Sequence, residues 1–350
     1  MIGFFNRGII ARSIIISGVF FLPFGNETAA EGISLNYDSL SSLEEPLAFE
    51  IGGVTFLLNG LVDTPFTLDL QDWDASGGVL TNFQISAETQ LPNRWTVGVA
   101  YFGQFESDPP NIFVTGFQTN NNVYKDNFAG FVSGIWGGLF GGNVSGLVRE
   151  QTRRKRGVGN AALAFDNALG GLERWSGGYQ GRFSAFTVSA VVDEAANFDL
   201  GLSFVRPIGN KAYRFTTRYT NSRYMSGDGT AWFDTHAFSG TAEVAYGSTM
   251  FDATIGFEGF RSASVDVNRV YASLGVQGKT GAFSWSLEGH FGQIMGQDEI
   301  AFSAGARYDI ARGLSANFGI NYEKATITVS TISFLNTDNT SATISLRYSF

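Results

Sequence analysis

The last nine residues alternate in kind: Ala342, Ile344, Leu346, Tyr348 and Phe350 are apolar, and Thr343, Ser345, Arg347 and Ser349 lie between them. A period of two puts one set on each face of an extended strand. The pattern recurs upstream. Phe302, Ala304, Ala306, Tyr308 and Ile310 alternate with Ser303, Gly305, Arg307 and Asp309. Phe283, Trp285, Leu287 and Phe291 alternate with Ser284, Ser286, Glu288 and His290, and Tyr213, Phe215 and Tyr219 with Arg214, Thr216 and Arg218. Strands of this kind place aromatics towards lipid and charges towards a lumen, because a charge on the lipid face costs roughly 2–4 kcal/mol at mid-depth.

The alternation predicts sixteen strands, over about 52–63, 77–90, 94–106, 126–136, 138–148, 175–184, 186–194, 196–206, 211–222, 234–246, 248–260, 266–278, 281–294, 298–310, 313–326 and 338–350. Connections after even-numbered strands are short, as at Leu91-Pro92-Asn93, Gly137, Ala185, Pro207-Ile208-Gly209-Asn210, Gly247, Thr280-Gly281 and Ala311-Arg312. Most odd-numbered ones read as long: 64–76, 107–125, 149–174, 223–233 and 327–337, with the one around Ala195 short. Short turns alternating with longer loops characterise a closed antiparallel transmembrane β-barrel. Residues 127–148 admit another reading. They carry no charge except Asp126 just before them, and Gly134, Gly138, Gly142 and Gly146 recur at helical spacing. Seven glycines in 22 residues burden a helix, however, and Trp136-Gly137-Gly138 suits a hairpin turn.

Composition agrees. Across 350 residues there are 44 Gly, 33 Phe and 12 Tyr, only 16% charged residues, and a mean hydropathy of +0.02. The chain has no Cys, which removes disulfides, thiolate metal sites and cysteine nucleophiles. A net charge of −9 argues against nucleic acid as a partner. Neither His236 nor His290 has a neighbour at metal-ligand spacing, no phosphate-binding fingerprint is present, and no cofactor is expected. As an enzyme the chain would have to use His290 as base and Ser284 or Ser286 as nucleophile; a non-enzymatic role is the expectation.

Residues 1–30 read as a secretory signal peptide: Arg7 and Arg12 are basic, Ser13 to Phe24 apolar, and Thr28-Ala29-Ala30 small. Its removal, with Arg7, Arg12 and Glu27, leaves 21 basic and 31 acidic residues, a charge of −10. Residues 31–51 do not alternate and read as a periplasmic N-terminal extension; 52–350 is the barrel.

The terminal Phe350, with Tyr348 and Leu346 before it, resembles the C-terminal signal by which bacterial outer-membrane proteins are recognised for assembly. With the strand count and the long third external connection, the chain resembles Gram-negative general porins, the alphaproteobacterial type being the nearest match. The resemblance covers the barrel as topology and is motif-specific only at the C-terminus. It implies localisation in the outer membrane, a water-filled channel for ions and small polar solutes, a homotrimer in contact with lipid and lipopolysaccharide, passage through the barrel assembly machinery, and a third loop folded inward. A substrate-specific channel or a structural or adhesin barrel is the alternative.

That third loop carries Arg149, Arg153, Arg154, Lys155 and Arg156, and later Asp166 and Glu173. Solvated outside, such a run is unremarkable; folded inward, it sets the field of a constriction. Strand parity also points Arg182, Arg214, Arg218, Arg307 and Arg347 into the lumen. Opposed acids in the family usually stand on the loop, whereas here the loop starts with a basic cluster. Either these arginines end the fifth strand along the wall, or the constriction is basic and favours anions.

Overall fold

The computed structural model describes residues 47–107, 123–144, 146–154, 157–161, 175–225, 232–261, 266–294, 296–329 and 332–350. All strand pairings are antiparallel and follow chain order, the architecture that alternation with short turns demands. After a short β1 (Leu47–Ile51), the barrel runs β2 (Val54–Asp69), β3 (Ala75–Gly77), β4 (Val79–Gln90), β5 (Thr96–Ser107), β6 (Val123–Gly134), β7 (Gly137–Gly142), β8 (Ser176–Phe183) and β9 (Phe186–Asp193). It continues as β10 (Phe198–Ile208), β11 (Lys211–Met225), β12 (Trp232–Tyr246), β13 (Thr249–Arg261), β14 (Asp266–Thr280), β15 (Phe283–Ile294), β16 (Gln297–Ala311), β17 (Leu314–Val329) and β18 (Ile332–Ser349).

Two of these segments are one strand. β3 and β4 pair with β2 in a single register, interrupted at Gly78, whose N–H donates to Pro65 O at 2.8 Å. Proline has no N–H to return, so one rung loses half its bonds and the strand is counted twice. β1 lies outside the ring. The ring therefore has 16 strands.

Closure joins the two ends of the sequence. β18 pairs with β2, from Ser341 opposite Asp69 to Ser349 opposite Leu61, and Phe350 exchanges both backbone bonds with Gly60 at 2.8 and 3.0 Å. The Phe350 ring covers Gly60, where a Cβ would lie 2.2 Å from it. Beyond Phe350 the starting edge of β2 is paired by β1, from Leu47 opposite Leu58 to Ile51 opposite Val54. Gly52 and Gly53, at φ +61° and +79°, supply the two left-handed positions that this tight hairpin requires.

The faces segregate as the alternation requires. Phe215, Phe238, Phe251, Leu274, Leu287, Phe302 and Ile344 point outward and are exposed. Their neighbours Thr216, Arg218, Thr254, Glu258, Ser273, Glu288 and Ser303 turn inward and are buried. Residues 127–148 form the β6–β7 hairpin and the start of a short helix, and among the described residues no helix is long and apolar enough to cross a membrane.

Two expectations need correction. The fifth strand, expected over 138–148, ends at Gly142, and Leu147–Thr152 is helix α1. Arg149 therefore lies on a helix and does not prolong a strand along the wall. Strand extends into three of the expected long loops: β2 continues to Asp69, β11 and β12 reach Met225 and Trp232, and β17 and β18 reach Val329 and Ile332. Their β-branched and polar residues pair as readily as apolar ones, because backbone hydrogen bonds need no lipid-facing side chain. The connections after β5 and β7 remain long; the one near Ala195 is short, as expected.

Candidate pore-lining site

The inward face is mostly polar but carries an apolar patch. Ala100, Ala129, Phe131, Phe140 and Val191 turn inward and bury Val144, Leu147 and Val148. Helix α1 rests on this patch by its apolar residues, removing them from solvent. Its far end is held by polar contacts. Thr216 Oγ1 donates to Thr152 O at 2.6 Å and Gln151 Nε2 to Thr187 O at 3.1 Å. The Arg214 guanidinium donates to Gln151 O and Arg153 O at 2.6 and 3.2 Å while pairing with Glu243 at 2.5 Å. A cation that supplies donors at a helix C-terminus satisfies carbonyls that have no partner within the helix.

From α1 the chain proceeds against the inner wall. Arg154 donates to Asp252 at 2.9 Å and to Glu288 at 2.8 Å, with all three side chains buried. These acids stand in one lateral row, Asp252 opposite Gly275 and Gly275 opposite Glu288. A Cβ on Gly275 would lie 2.7 Å from the Arg154 guanidinium, so this glycine makes room for it. Val158 N then donates to Ser286 Oγ at 2.7 Å. Gly305 and Gly319, themselves paired, face the backbone of 158–161, where added Cβ atoms would fall 1.9 Å from Val158 O and 2.4 Å from Asn160 C. Asn160 donates to Ser345 Oγ at 3.2 Å and accepts from Arg347, which pairs with Asp63 at 2.7 Å. Residues 147–161, where described, are thus tied to inward-facing groups from β9 to β18. Lys155, Arg156, Asp166 and Glu173 lie outside the described residues, as does most of this connection's further course.

The remaining site residues fall as follows. Arg153 pairs with Glu150 at 2.6 Å, and Arg149 is half-buried on α1. Arg218 forms a two-pronged pair with Asp199 at 2.7–3.0 Å. Arg307 bonds Asp309 at 2.6 Å. Arg182 sits at the turn end, exposed, donating to Ser184 O at 3.3 Å, remote from α1. Sequence reasoning marked the inward arginines and passed over their acids: Asp63, Asp199, Glu243, Asp252 and Glu288. The same parity rule, applied to carboxylates and to inward glycines, would have found both.

His290 does not face Ser284 or Ser286 as partner. Its ring bonds Ser273 Oγ at 2.8 Å and Glu299 Oε1 at 2.5 Å, and Arg269 pairs with Glu299 and, at 3.0 Å, with Glu258. Ser273 and His290 are wholly buried, and Tyr271 stacks on the His290 ring at 5.4 Å. A serine, histidine and carboxylate in line resemble a hydrolytic constellation, but a nucleophile needs access and an oxyanion site. This trio ties β14, β15 and β16 together.

The sequence matches no protein-family model and no curated protein. Among solved structures, the chain is similar to OmpT, an outer membrane protein of Vibrio cholerae, at 14% identity and a TM-score of 0.61, covering 87% of this chain and 100% of that one. It is similar to an anion-selective porin from Comamonas acidovorans at 12% identity and TM-score 0.60, over 85% and 100%. It is also similar to a mutant of the Rh. blastica porin at 14% and 0.55, over 84% and 100%. At these identities the likeness is one of fold: a porin-like β-barrel, with no preference for the alphaproteobacterial type.

Proposed function

We propose that this chain is a porin of the bacterial outer membrane, a passive water-filled channel for ions and small polar solutes. The observation that carries the reading is the segment 147–161 tied to inward-facing side chains within a closed ring whose outer face is apolar. Such a segment narrows a lumen without sealing it from the membrane side, which is what size-limited diffusion needs. In this reading residues 1–30 are removed on export and 31–51 form a periplasmic N-terminal extension, whose end is β1. Leu346, Tyr348 and Phe350 are read by the assembly machinery, lipid and lipopolysaccharide surround the barrel, and three copies associate. One related structure is described as the trimer form of its protein.

The charge reading changes. Arg153, Arg154, Arg214 and Arg218 each stand beside a carboxylate, and paired charges create little net field at a distance. We therefore infer weak charge selectivity in place of an anion preference, even though one structural relative is an anion-selective porin. Planar-bilayer recording of the purified protein tests the whole reading. Stable ohmic steps and a reversal potential near zero in a salt gradient are expected, with an unheated mass of three subunits. An absence of steps would refute the channel, and a strong preference for anions would refute the account of the paired charges.

A further inference from the structure

The inner wall around β4 has a different chemistry. On β2 and β4 the inward positions Asn59, Asn82, Gln84 and Ser86 are uncharged and lie between Asp63, which pairs with Arg347, and Glu88; register sets them side by side, Asn59 opposite Gln84, Leu61 opposite Asn82, and Asn82 opposite Gln104 of β5. Asn82, Gln84 and Ser86 are 2–3% exposed. Asn59 Nδ2, both polar atoms of the Asn82 carboxamide, Gln84 Oε1 and Ser86 Oγ have no hydrogen-bond partner among the described residues.

A recessed amide without a partner is costly, and two donors, two acceptors and a hydroxyl cluster here. The wall from β10 to β18 has its charges paired and carries the segment 147–161. Among the described residues, five of the recessed polar atoms without a partner fall together on β2 and β4. Neutral partners with alternating O–H donors and acceptors satisfy carboxamides of both polarities, whereas a bare ion satisfies only one. Three inward levels on β4 span about 14 Å, long enough for more than one sugar ring to lie along it.

We propose that Asn59, Asn82, Gln84 and Ser86 form a binding strip for neutral polyhydroxylated solutes, of the class of short oligosaccharides. The proposal rests on the channel reading above. The test is ion current through the intact protein in a planar bilayer, with maltotriose titrated into the bath. Wild type should show saturable, maltotriose-dependent block. Asn82→Leu with Gln84→Leu should weaken that block by more than about tenfold, near fivefold for each hydrogen bond lost, with sugar-free conductance within about twofold. The charged isosteres Asn82→Asp and Gln84→Glu should shift the reversal potential towards cations, which residues remote from the permeation path would not do. A wild type that conducts ions but shows no block, or isosteres that leave the reversal potential unchanged, overturns the strip and spares the channel. A wild type without conductance overturns the channel itself.

Discussion

The two sides of the inner wall solve the problem of polar burial in opposite ways. From β10 to β18, guanidinium and carboxylate groups meet across adjacent or next-but-one strands, as in Arg218 with Asp199 and Arg269 with Glu258 and Glu299. On β2 and β4, between Asp63 and Glu88, amides and hydroxyls stand in their place, and several have no partner among the described residues. The difference shows that charge on a barrel wall is not by itself a selectivity device. On the paired side it fastens a segment of chain.

The fastening point is the sharpest way to break this contrast. Arg154→Met should leave Asp252 and Glu288 facing each other uncompensated, at a cost of about 3–5 kcal/mol to the folded barrel. Thermal unfolding in detergent should fall clearly, and reversal potentials should move towards cations. Methylguanidinium, which fits the space over Gly275, should partly restore both. An unchanged reversal potential would show that these acids do not face the permeation path.

Filling the seat of the segment should have a smaller effect. Gly319→Val puts a side chain where Asn160 passes, at about 1–3 kcal/mol, and single-channel conductance should fall as the segment is pushed off the wall into the lumen. A rise in conductance would mean that the segment leaves the lumen instead. Removing Phe350 deletes both backbone bonds to Gly60 and the ring that covers it. The expected result is a lower yield of heat-modifiable, folded barrel on gels, with unchanged selectivity in the fraction that assembles. At the bottom of the scale, Arg223→Ala breaks an exposed pair with Asp234 at the loop end, and neither unfolding temperature nor conductance should change measurably.

Much of this was legible in advance. Alternation from Phe283 to Phe291 and from Ala342 to Phe350 assigned both faces, and Arg214, Arg218, Arg307 and Arg347 were placed inward by parity alone. Strand ends were less legible, since Thr, Asn and Ile beyond the apolar band continue a ladder as well as they begin a loop. Helix α1 was missed because six residues give too short a helical period, and because Leu147 and Val148 continue the apolar run of the preceding hairpin.

What the sequence determined by itself was the class of object: a period of two, segregated by solvation, admits a closed barrel and little else. Which charges meet was decided only by tertiary structure. Arg154 lies 98 residues from Asp252 and 134 from Glu288, and Arg347 lies 284 from Asp63. Strand register and closure of the ring bring such groups within hydrogen-bond reach. Local pattern carries the orientation of a side chain because orientation depends on its own strand, but its partner depends on every strand between.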